Sequence, residues 1–114
     1  MNESFSELNS CIPELRYIYF HLSARKRSNY INYAKSDIIN CLQRTALNLL
    51  YAKQAKISLS KSQVALLKNC KKKLKDLVSA KTIKEKKRIL TNGFIEKMLK
   101  VILSKRVLRQ IGLD

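Results

Sequence analysis

Lys68, Lys71, Lys72 and Lys75 are separated by three, four and seven residues, the spacing that gathers side chains on one face of a helix. Lys61 and Lys73 extend that face around the side, and Lys81, Lys84, Lys86, Lys87 and Arg88 follow in the next segment. Cations at this density do one kind of chemistry well: they neutralise phosphates and release the counterions condensed around a nucleic acid. The whole chain carries 24 Lys and Arg against 8 Asp and Glu, a formal net charge of +16. Residues 61–114 hold sixteen bases and four acids, a net of +12, whereas residues 1–14 hold three acids and no base. An ordinary solvated helix face is the expectation for four or five lysines, whereas for a C-terminal half at +12 binding is favoured over it. Self-repulsion on this scale opposes the compact state, so an anionic partner or strong solvation is expected.

Within residues 61–114 lysine outnumbers arginine thirteen to three. Lysine is a flexible point charge, while reading base edges favours the planar fork of arginine or an amide. Contact with the phosphate backbone at low sequence specificity is therefore expected. Tyr17, Tyr19, Phe20, Tyr30, Tyr33 and Tyr51 lie outside the lysine-rich segment. Tyr30 and Tyr33, near Arg25, Lys26 and Arg27, are of the type that stacks on bases. Closing the edge of a core is the commoner use of such tyrosines, and that is the expectation for them.

Catalysis finds no seat in the pattern. His21 is the only histidine, with no acid or cysteine at a dyad or ligand spacing. Cys11, Cys41 and Cys70 are widely spaced and odd in number, which indicates neither zinc nor a disulfide framework and fits a reducing compartment. Cys41 and Cys70 fall on or beside apolar stripes, as small buried hydrophobes do. G-x-S-x-G, H-E-x-x-H and Walker A patterns are missing. A non-enzymatic protein with no cofactor and no metal is expected. No apolar run approaches the roughly 18–20 residues that span a bilayer, and the acidic, polar start does not resemble a signal peptide. An intracellular setting is expected.

The elements that must position the lysines are helices. With two glycines and one proline in 114 residues, little of the chain is punctuated as turn. Residues 1–12 form an acidic, polar leader, allowed to be flexible, and residues 13–112 a single helical domain. Pro13 suits a first helical position, and Leu15, Ile18, Tyr19 and Leu22 follow one helical face. Arg25–Arg27 with Ser28-Asn29 end that helix, and Tyr30–Tyr33 add a turn or two. Ser36 is read as an N-cap with Asp37 in the first turn of a helix over 37–53, whose stripe is Ile38, Ile39, Leu42, Ala46, Leu49 and Leu50. After a connection over 54–59, Ser60 and Gln63 make a capping box for a helix over 61–79 that buries Val64, Leu67, Cys70, Leu74 and Leu77. Thr82 and Glu85 give a second capping box, opening a short helix that ends near Asn92-Gly93, with Gly93 in the left-handed position. A last helix over 94–110 carries a wide apolar surface, with Gly112 as its stop. Met98, Leu99, Ile102 and Leu103 make it either a core helix or an interface between copies or with another protein. The fold class is all-α, a compact irregular bundle of about five helices.

Leu59-Ser60-Lys61-Ser62-Gln63, Leu67–Leu77, Lys84–Leu90 and Gly93-Phe94, with Asp37–Cys41 and Leu47–Leu50 upstream, together resemble the small basic proteins of Maverick/Polinton elements and the related adintoviruses. The resemblance covers about residues 15–103. Asn92-Gly93 stands where that family usually has paired glycines, and Lys105–Asp114 replaces its long apolar tail. The resemblance implies a virion- or element-associated protein, such as a core protein that packs DNA.

The leading expectation is a nucleic-acid-binding protein, DNA favoured, acting through Lys61, Lys68, Lys71, Lys72, Lys75, Lys81, Lys84, Lys86, Lys87 and Arg88, in the nucleus or a virion. The alternative is a structural or adaptor protein, or a homo-oligomer, docking through the last helix. A basic amphipathic helix lying on a membrane surface is the least favoured reading.

Overall fold

In the computed structural model, residues 3–51, 58–91 and 93–110 are described, with side chains from residue 10 onward. The described residues form eight helices and no strand: α1 (Glu3–His21), α2 (Ala24–Tyr33), α3 (Ser36–Leu50), α4 (Lys61–Asn69), α5 (Lys71–Ser79), α6 (Ile83–Leu90), α7 (Phe94–Ile102) and α8 (Lys105–Gln110). The all-α class stands, and the count of about five is corrected to eight. Most of the expected connection over 54–59, and the stop at Gly112, lie outside the described residues.

Two of the additional helices come from serine and cysteine side chains that compete with the backbone. The expected helix over 61–79 breaks at Cys70, whose backbone sits at φ −111°, ψ 18°. Its N–H donates to the Leu67 carbonyl at 3.2 Å, while its thiol takes the Leu66 carbonyl at 3.3 Å, the group a continuous α-helix would bond to that N–H. The expected helix over 94–110 breaks at Ser104. The Ser104 hydroxyl donates to the Val101 carbonyl at 2.7 Å and accepts the Val107 N–H at 3.3 Å, so it starts α8 as an N-cap.

The third additional helix is α2. Ser23 accepts the Lys26 N–H at 3.3 Å and caps it, so Arg25–Arg27 open α2 instead of closing α1. Ser36 proves to be the first residue of α3, with Lys35 at the cap position and no side-chain cap bond. Pro13 lies inside α1, which reaches back to Glu3 through the stretch read as a leader. Ile12, within that stretch, is buried alongside Leu15 and Ile18, and this packing outweighs the backbone bond that Pro13 cannot make.

α3 is the central element, packed most extensively on α5 and α1 and next on α6. Its stripe of Ile38, Ile39, Leu42, Ala46 and Leu49 is buried as the periodicity predicts, and Leu50 is half-buried. α7 supplies the other half of the core: Phe94, Ile95, Met98, Leu99, Val101 and Ile102 are all buried. Val64, expected inside, is 51% exposed, while Leu67, Cys70, Leu74 and Leu77 are buried. Gly93 takes the left-handed conformation at φ 81°, as expected. The capping box at Ser60 and Gln63 is complete and reciprocal, whereas the box expected at Thr82 and Glu85 forms only in half: Thr82 accepts the Glu85 N–H at 3.2 Å. Gln43 of α3 donates to the carbonyls of Leu77 and Ala80, each at 2.9 Å, and so closes the C-terminal end of α5.

Candidate polyanion interface

The break at Cys70 divides the expected lysine face. Lys68 and Lys71 flank a depression floored by Leu49, Leu67 and Leu74. Lys72 and Lys73 turn instead toward α7, where they share a recess of about 260 Å³ with Asn69, Phe94 and Lys97. Lys73 also lines a second depression, with Asp76, Ser79, Glu85 and Arg88. Arg88 in turn lines a third, of about 560 Å³, with Asn32, Lys84 and Lys87. Three consecutive hollows therefore share Lys73 and Arg88 as their dividing posts. They form a track from α7 across α5 and α6 to α2, lined by six cations and interrupted by the two carboxylates Asp76 and Glu85.

Eight of the ten candidate cations are exposed: Lys61, Lys68, Lys71, Lys72, Lys75, Lys81, Lys84 and Arg88. Lys87 is half-buried, and its Nζ donates to the Asn32 carbonyl at the end of α2 at 3.0 Å. Lys86 is buried at 9% exposure, and its Nζ donates to Asn40 Oδ1 at 3.0 Å. Its ammonium ties α6 to α3 and does not belong to the solvent-facing track. The helical period carries the signal for this: Ile83, Lys86, Ile89 and Leu90 fall at i, i+3, i+6 and i+7, so position 86 lies on the inward face. Lys73, expected at the side of the lysine face, and Lys97, outside the expected set, both line the track. Lys97 had no local signal, because its nearness to Lys72 and Lys73 arises only when α7 packs beside the α4–α5 break.

The amides at the starts of α4 and α6 are less free for phosphates than their sequence suggests. The Gln63 and Glu85 N–H groups are taken by the caps, and the Gln63 side chain donates onward to Ser104 Oγ at 2.9 Å. Arg27 of the basic patch is also committed. Its Nε and Nη2 donate to the carbonyls of Ile18 and Tyr19, closing the end of α1, and its guanidinium lies 5.5 Å from the Tyr19 ring centroid.

Met98, Leu99 and Ile102 are fully buried at 0% exposure, and Leu103 is half-buried. They are core, and α7 offers no free apolar face through them. Tyr30 is half-buried and donates to Glu14 Oε2 at 2.8 Å. Burial, and then the hydrogen bond to Glu14 and that carboxylate's charge, push its hydroxyl up to about 12. Tyr33 is 89% exposed and closes no core, contrary to expectation. Cys41 and Cys70 are buried and Cys11 is half-buried, and none of the three is in a disulfide. Burial pushes the Cys70 thiol up, partly opposed by the charge of Lys97. Among the described residues no group of three His, Cys, Asp or Glu side chains is placed to hold a metal. No helix among them is long and apolar enough to cross a membrane.

Comparison with protein-family models, curated proteins and solved structures finds no match to this chain.

Proposed function

We propose that this protein binds nucleic acid non-enzymatically through the phosphate backbone, DNA in the first place, along the track that joins Lys97, Lys72, Lys73, Arg88, Lys84 and Lys87. The observation that carries this reading is that three neighbouring hollows share Lys73 and Arg88 between them, with six cations against two acids. The lysine bias favours contact without base reading. The resemblance to Maverick/Polinton and adintovirus basic proteins extends the reading to packing a viral or mobile-element genome, in a nucleus or a virion. Docking of another protein on the last helix has less support, because Met98, Leu99 and Ile102 are inside the core.

Salt-titrated binding to unrelated duplexes tests the proposal. Contact with about six phosphates predicts similar affinity for each duplex and a fall on the order of a thousandfold between about 50 and 200 mM salt. Reversing Lys72, Lys73 and Arg88 together should remove most of the binding with helicity retained. Reversing Lys68 and Lys71, beside the apolar-floored depression, should have a smaller effect. Absence of binding at low salt would overturn the proposal.

A further inference from the structure

The lysine track leaves unexplained a second surface, built by α1 and α2. Tyr17, Phe20 and His21 follow each other at i, i+3 and i+4 on the outer face of α1, and Phe20 is 64% and Tyr17 49% exposed. The Tyr17 ring stacks on His21 at 5.7 Å between centroids and meets Tyr30 of α2 at 6.1 Å. One turn beyond Tyr30, Tyr33 stands almost wholly in solvent at the rim of a hollow of about 740 Å³ that Tyr30, Lys26 and Lys35 also line. Rings held this far out of a core have gained little from folding, and a row of them on adjoining helices is a stacking platform in search of flat partners.

We propose that this α1–α2 face binds unpaired bases of single-stranded nucleic acid, as a site separate from the lysine track. The charge of this face favours this occupant: Lys26 and Lys35 line the hollow with Tyr30 and Tyr33, and Arg16 of α1 and Arg25 of α2 are exposed. The nearby acids are Glu14, which accepts the Tyr30 hydroxyl, and Asp37. A second copy of the chain is disfavoured because each copy carries +16 and the two repel. A single strand supplies phosphates for the four cations and exposed base faces for the rings, the combination that sequence-tolerant single-strand binding uses.

The test compares an oligothymidylate with an abasic strand of equal length, which keeps the phosphates and lacks the bases. The full-length protein should bind the oligothymidylate about tenfold more tightly than the abasic strand at moderate salt. Tyrosine emission, the only strong intrinsic fluorescence in a chain with five Tyr and no Trp, should be quenched by the oligothymidylate alone. Tyr33→Ala, at a position too exposed to disturb folding, should erase most of that preference and leave duplex affinity unchanged. Tyr33→Phe should keep it. Equal affinity for the two strands overturns the proposal, as does a preference that survives the combined Tyr17→Ala, Phe20→Ala and Tyr33→Ala changes. A wild-type dimer that Tyr33→Ala dissolves would make the face a self-interface and overturn it also. Failure here leaves the duplex salt dependence untouched, so the two proposals fall separately.

Discussion

Arg27 Nη1 and Glu96 Oε1 meet at 2.6 Å, joining α2 to α7, while the same guanidinium holds the last carbonyls of α1. One side chain therefore fastens three helices. The two partners contribute unequally: Arg27 is 16% exposed and Glu96 39%, so water screens the ion pair more than the carbonyl bonds. Arg27→Ala, which strips the end of α1 of its donors, should cost about 2–4 kcal/mol. Glu96→Gln should cost less than about 1 kcal/mol. Urea denaturation of the two variants decides the point, and equal losses would assign the stabilisation to the ion pair alone.

Lys86 separates a structural lysine from the binding ones. Lys86→Met keeps the aliphatic stem but leaves Asn40 Oδ1 without its ammonium partner, a loss of about 1–3 kcal/mol. Duplex affinity should not change beyond the general effect of one distant charge. Lys72→Met, with an exposed ammonium on the track, should weaken binding and lower the salt slope by about one phosphate while leaving stability alone. If Lys86→Met lowered the salt slope as much as Lys72→Met, Lys86 would belong to the interface.

Tyr30 makes part of the stability dependent on alkaline pH. Its hydroxyl is raised in the folded protein to about 12, above the ordinary value near 10 for an unfolded chain. The folded state thus holds the proton more firmly. The contribution is complete below about pH 10 and is lost as pH rises through about 12. Tyr30→Phe lacks it at every pH. Urea midpoints of the two proteins should converge across that window, in which lysine deprotonation is common to both. A constant gap would show that the Tyr30 hydroxyl, raised first by burial and then by Glu14, carries no linkage.

Where local chemistry decides structure, the chain is readable. The stripe of α3 and the reciprocal cap at Ser60 and Gln63 rest on neighbours within a turn or two, and so does the left-handed Gly93. The breaks at Cys70 and Ser104 escaped because each depends on a side chain choosing a backbone carbonyl one turn back, a choice that an apolar period does not record. Lys86 carries a charge that usually keeps a side chain in water, yet its place on the α6 period with Ile83, Ile89 and Leu90 turns it inward. The meeting of Lys97 with Lys72 and Lys73, and the exposure of Tyr33, are products of packing between helices remote in sequence.

At six residues, α8 is far shorter than the roughly 12–15 at which an isolated helix becomes even marginally stable in water. Its first turn is bound through Ser104 to Gln63, in the first turn of α4. Opening either cap releases a partner of the other. The start of α4 and the whole of α8 thus behave as one cooperative unit of local unfolding, although some forty residues of chain lie between them.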